Sequence, residues 1–295
     1  MHDRWKVLAP VDLGSEAEAH VQHALNAAEA VKGDLTMLYV LDGRIRHAEG
    51  FEWPANAMAA HRNSAVRRLP VVGSVADTVG RYANDVGADL ITVTVGSNRW
   101  WNRVWRKSTA AAIARATDRP IYLTDRSAPP LSSAFKSFLC VVALDGTDDP
   151  LVRFSEELAQ RYDATLVLLH VLPEVNEGLM AYGLLAADDR PLSREVAERR
   201  LKELTAGLYC PNLTAITTGS AYRAIEKLRR EHEADAVITG RRDGAVSDLD
   251  PGVLLSRVPG PVISVRTGSH VLLDSGVLYG RQRAAAIDHR VAVGI

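Results

Sequence analysis

The chain has 295 residues, 47% hydrophobic and 24% charged, which fits a folded protein of about two domains and excludes a disordered one. Its 35 Lys+Arg and 36 Asp+Glu leave a net charge of −1, so it lacks the broad positive field of a nucleic-acid or membrane-surface binder. Two cysteines, Cys140 and Cys210, make neither a disulfide framework nor a metal-ligand spacing. With no membrane-length apolar run and no signal-peptide core, the expected compartment is the cytoplasm.

An apolar run at 7–11 is followed by Asp12-Leu13-Gly14-Ser15, then by Ala17, Val21, Ala24, Leu25, Ala28 and Val31 at helical spacing. Ser15 is the expected N-cap and Gly33 the expected stop. A second apolar run at 35–41 completes a strand–helix–strand unit. Such crossovers cover both faces of a parallel sheet, so its strands read as apolar runs rather than alternations. Residues 42–72 read weakly, with only 53–62 helical in pattern. Gly73-Ser74 opens a helix to Val86, Gly87-Ala88-Asp89 leads into a strand at 90–95, a helix covers 108–116, and Arg119-Pro120 starts a strand at 121–123. One doubly wound domain of five strands is expected.

A Pro/Ser-rich stretch follows, and then the pattern repeats. The run 138–144 leads into Asp145-Gly146-Thr147, a helix to Gln160 and a strand at 166–172. Gly219-Ser220 opens another helix, and Ala234-Asp235 leads into a strand at 236–239. Gly73-Ser74 and Ala88-Asp89 match Gly219-Ser220 and Ala234-Asp235 at an offset of 146, and Asp12 matches Asp145 at the end of the first strand. The expected fold class is α/β, with two tandem doubly wound five-stranded parallel sheets packed as a pseudo-dimer. Domain 1 is set at residues 1–126, a linker at 127–136, domain 2 at 137–266 and a C-terminal extension at 267–295.

In the order and spacing of these motifs the chain resembles the universal stress protein family. The residues that carry the likeness are Val7-Leu8-Ala9-Pro10-Val11-Asp12, Leu38-Tyr39-Val40, Gly73-Ser74, Ala88-Asp89-Leu90-Ile91 and Arg119-Pro120-Ile121-Tyr122-Leu123. The resemblance implies a regulatory or protective role in stress adaptation, working through binding. It also implies a nucleotide site in which adenine lies against the Asp and Val ending the first two strands, here Asp12 and Val40, and Asp145 and Val171. Phosphates would lie on a Gly-x2-Gly-x9-Gly-Ser/Thr loop whose backbone N–H groups and helix N-terminus favour an anion. In domain 1 the three glycine positions fall on Thr94, Ser97 and Lys107, followed by Ser108, so the spacing survives without its glycines. Gly96 offers part of the turn, and Arg99, Arg103, Arg106 and Lys107 offer charge. In domain 2 only Gly240 survives, Asp243 and Val253 replace the others, and the loop is shorter and carries Asp248 and Asp250.

Degenerate ATP loops in both domains, no cofactor and no catalytic or metal residues are therefore the expectation. ATP or AMP held in domain 1 and a slow ATP hydrolase are the alternatives. Capping of the following helix is the plainer role for Asp12 and Asp145. Asp148-Asp149 read as loop charges, His20 and His23 as a solvated helix face, and Cys140 as a small buried hydrophobe. Trp100, Trp101 and Trp105, among basic residues, suit a plug for the vacated cleft, a partner-docking surface, or a membrane or nucleic-acid contact. Val271-Leu272-Leu273 and Val277-Leu278-Tyr279 flank Asp274-Ser275-Gly276 as a possible hairpin. That extension, or the Trp-rich segment, is the expected contact for a second copy or a protein partner.

Overall fold

The computed structural model describes residues 4–11, 17–41, 64–70, 74–95, 109–125, 135–174, 192–242, 249 and 251–268. The first half contains β1 (Lys6–Pro10), α1 (Ala17–Ala30), β2 (Asp34–Leu41), β3 (Ser64–Pro70), α2 (Val75–Asp85), β4 (Leu90–Val95), α3 (Thr109–Ala116) and β5 (Ile121–Asp125). The second half contains β6 (Ser137–Val141), α4 (Asp149–Tyr162), β7 (Thr165–Leu172), α5 (Arg194–Thr205), β8 (Asn212–Thr218), α6 (Ala221–Glu231), β9 (Ala236–Arg241), α7 (Pro251–Arg257) and β10 (Val262–Arg266). The strand missing from the sequence reading of 42–72 is β3, at the far edge of the sheet.

The two halves form more than packed sheets. One ten-stranded sheet runs in the order β3-β2-β1-β4-β5-β10-β9-β6-β7-β8. Every neighbouring pair within a half is parallel, and the joint between halves is antiparallel, with Leu123 opposite Val262, Tyr122 opposite Ile263 and Ile121 opposite Ser264. The last strands of the repeats thus pair inside a single chain, satisfying edges that would otherwise lie open. Core side chains of α1, α4 and α5 cover one face, and those of α2, α3, α6 and α7 cover the other.

Local chemistry sets the helix ends. Ser74 caps α2 in a reciprocal box: its hydroxyl accepts from the Asp77 N–H, and the Asp77 carboxylate accepts from the Ser74 N–H and O–H. Those bonds hold the Asp77 carboxyl below its ordinary value. The Gly33 stop has a different cause from the one expected. Lys32, not Gly33, takes the left-handed turn at φ 50°, while a Cβ on Gly33 would lie 2.5 Å from Val7 Cγ2 and 2.8 Å from the Trp5 carbonyl oxygen. That glycine is needed for close packing on β1.

Two further contacts tie the halves together. Trp5, just before β1, is buried against α4: its ring lies 5.4 Å from that of Phe154 and 5.0 Å from the Arg161 guanidinium, and its Nε1 donates to Glu157 Oε1 at 3.1 Å. At the seam, Arg241 closes β9 and turns its guanidinium into the first half. Its Nε donates to the Ala114 carbonyl at 3.1 Å, Nη2 to those of Thr117 at 2.9 Å and Arg119 at 2.7 Å, and Nη1 to that of Ser264 at 2.5 Å.

Candidate functional site

In each half the strand order reverses beside the first strand, and open α/β sheets bind ligands in the crevice beyond the strands' carboxyl ends at that point. The second half has such a cleft, of about 750 Å³, between the ends of β6, β7 and β9 and the start of α6. Val171 and Gly240, two of the sequence candidates, line it. In the first half Val40 is buried in β2. Asp12, Gly96, Ser97, Arg99, Lys107 and Ser108 lie outside the described residues, as do Trp100, Trp101, Trp105 and the extension beyond Gly268.

Asp145 does not cap α4, contrary to the plainer sequence reading. One carboxylate oxygen accepts from the N–H and hydroxyl of Thr147, at 3.0 and 2.7 Å, and the other lies 2.7 Å from Arg242 Nη1. The Asp145–Arg242 pair joins the loop after β6 to the loop after β9, residues 97 positions apart in the sequence. Gly240 also departs from its expected role. A Cβ there would lie 2.8 Å from Thr267 Cγ2, so this glycine leaves room for a side chain that follows β10. Thr267 bonds the Arg241 carbonyl through its N–H at 3.0 Å and its hydroxyl at 3.2 Å, continuing the β9–β10 pairing.

Asp148, read from the sequence as a loop charge, is the residue that shapes the site. It stands at the N-cap position of α4 without capping it, and is 2% exposed. Its carboxylate turns back to accept the N–H groups of Ala143 at 2.9 Å and Leu144 at 2.7 Å. Leu144 is held left-handed at φ 59°, a conformation that costs a non-glycine residue about 1–2 kcal/mol, while Arg200 donates to its carbonyl. His170 Nδ1 lies 3.0 Å from the Val142 carbonyl oxygen, so the loop is fixed from three elements.

Burial, aided by the neighbouring Asp145 charge, pushes the Asp148 carboxyl up to about 6, against the two backbone N–H groups and Arg242. Between about pH 4 and pH 6 the folded protein therefore holds a proton that the unfolded chain, with its ordinary value of 3.8, has released. This contribution to stability is full below pH 4 and is lost as pH rises through 6, on the order of 2–3 kcal/mol. Asp148→Asn fixes the neutral form. Its urea midpoint is expected to gain on wild type between pH 4 and pH 7, and a constant difference would count against the buried-charge account.

The two ends of the repeat also differ at their helix caps. Ser220 precedes α6 without a side-chain cap bond, and Arg223 stands where α2 has Asp77. Elsewhere, Cys140 is fully buried as expected, its thiol pushed up to about 12 by burial, while the Ser155 hydroxyl lies 3.3 Å from its sulfur. His20 and His23 are half-buried on α1, not on an open face. Among the described residues no group of His, Cys, Asp and Glu is arranged to hold a metal ion, and no helix is long and apolar enough to cross a membrane.

The model of the universal stress protein family matches residues 4–124 and again 134–259. The chain belongs to the universal stress protein family. Its tandem architecture is similar to that of a universal stress protein from Archaeoglobus fulgidus DSM 4304, with a TM-score of 0.59 at 15% identity, over 90% of this chain and 97% of that one. A putative universal stress protein from Pseudomonas aeruginosa UCBPP-PA14 gives 0.57 at 14% identity, over 89% and 93%. At such identities the likeness is one of fold. Among curated proteins none matches the sequence. This universal stress protein thus has both repeats of the family joined through one sheet, with a second-half cleft whose polar groups largely bind one another.

Proposed function

We propose that this universal stress protein acts by binding rather than by catalysis, in a regulatory role in stress adaptation, and that its second-half cleft does not serve ATP. The observation that carries this reading is the engagement of Asp145 by Arg242 and Thr147. The carboxylate that the family resemblance assigns to a nucleotide already has its partners. Thr267 packed over Gly240 supports the same reading, because that glycine no longer offers open backbone to a phosphate. Asp243, Asp248 and Asp250 add negative charge to the intervening loop sequence. In the first half the loop pattern has Thr94, Ser97 and Lys107 in its glycine places.

Calorimetric titration with ATP is expected to give a Kd weaker than about 100 μM, roughly −5.5 kcal/mol. A micromolar Kd would overturn the proposal in favour of a nucleotide sensor, with Arg99 and Lys107 the first substitutions to make. Steady ATP turnover by the purified chain would favour a hydrolase instead, which needs a Mg²⁺-holding carboxylate beside a phosphate loop. For assembly we propose a second copy or a protein partner bound through the C-terminal extension or the Trp100–Trp101–Trp105 segment. The β5–β10 joint supports this assignment, because it leaves β5 and β10 no free edge for another chain.

A further inference from the structure

His170 is the group in the cleft whose chemistry is left open. The residue is 7% exposed, and it lines the cavity from β7. The Val142 carbonyl 3.0 Å from Nδ1 can only accept, so the ring proton sits on Nδ1 and the neutral ring keeps a lone pair on Nε2. Burial lowers the pKa of the ring below its ordinary value, and the Arg200 guanidinium adds to this, against the Val142 carbonyl and Asp145. Neutral imidazole is the resting form. Among the described residues Nε2 has no hydrogen-bond partner. The nearby cationic donors are engaged elsewhere, Arg200 with the Leu144 carbonyl and Arg242 with Asp145.

The rest of the cleft restricts what can meet that lone pair. Val141, Leu151, Val171, Leu192, Tyr222 and Leu249 give it an apolar body, and its volume is that of a small-molecule site. Arg242 is paired with Asp145, and the Asp148 carboxylate lines the cleft, so a phosphate or carboxylate would meet like charge from Asp148 as well as a lone pair. We propose that this cleft takes uncharged aromatic alcohols or amines, whose O–H or N–H is accepted by His170 Nε2. The inference rests on the reading of the cleft as a ligand site, and it names the donor that the site selects.

Three probes of one shape test it on the full chain: benzyl alcohol, benzyl methyl ether, which lacks the donor, and benzoate, which carries a charge. Nitrogen-15 spectra of the histidines in the free protein should show His170 protonated on Nδ1, and an Nε2-protonated ring would overturn the proposal. Benzyl alcohol should bind in the millimolar range and shift the His170 Nε2 resonance, with the ether and benzoate at least tenfold weaker. His170→Asn can keep a donor for the Val142 carbonyl but removes the Nε2 acceptor, and His170→Phe removes both. Either folded variant should bind the alcohol and the ether alike. An undiminished preference for the alcohol would overturn the role of His170 while leaving the cleft a ligand site. Failure of all three probes to perturb cleft resonances in wild type would overturn both.

Discussion

Arg241→Leu is expected to cost on the order of 3–5 kcal/mol of folding stability, an effect seldom reached outside a core cavity. The guanidinium is partly buried, and burial, with the adjacent Arg266, draws its pKa down to about 10. Four backbone carbonyls compensate that burial, three of them from the stretch where α3 ends and β5 begins. A cation at a helix C-terminus also meets the negative end of the helix dipole. Leucine removes every donor at once, leaving carbonyls in a site that water reaches poorly. Arg241→Lys should recover less than half of the loss, since one ammonium cannot span the positions that a planar fork reaches. Urea unfolding of the three proteins checks the order, and equal midpoints for Arg and Leu would show that the clamp contributes nothing net.

Trp5→Ala should be comparably severe, about 3–5 kcal/mol from lost packing. The residue belongs to the first half by sequence and to the second by contact, since Phe154, Glu157 and Arg161 all lie on α4. Its removal should therefore change the shape of the transition as well as the midpoint. Wild type is expected to unfold in one step by fluorescence and circular dichroism, and the variant in two, as the halves lose a shared core. Trp5→Phe, which keeps most of the ring and loses the Nε1 bond, should cost about 1 kcal/mol. A single transition at an unchanged midpoint for the alanine variant would reject the shared-core account.

The central strands were legible because each is buried on both faces, so β1, β2, β4, β6, β7 and β9 show as mainly apolar runs broken by single Thr or His residues. The edges were not. β3 places Arg67 and Arg68 side by side, and β8 is half exposed along its length, so neither carries a run long enough to stand out. Helix α5 hides for a related reason: only Ala197, Leu201 and Leu204 of its twelve residues are buried. In the site, Val171 and Gly240 could be placed from motif register alone. The contact of Asp145 with Arg242 could not, because it joins two loops that meet only once β6 and β9 are neighbours. Asp148 was hidden by the reversal of its side chain toward the preceding strand end. A signal for His170 was present: an imidazole inside a strand otherwise made of Thr, Leu and Val.

The antiparallel joint between β5 and β10 sets the direction of everything attached to it. Strands of the first half end at one rim of the sheet, and those of the second half end at the opposite rim. Val40, near the end of β2, and Val171 and Gly240, near the ends of β7 and β9, therefore stand at opposite rims. The two sets of strand ends are kept apart by the length of the strands themselves.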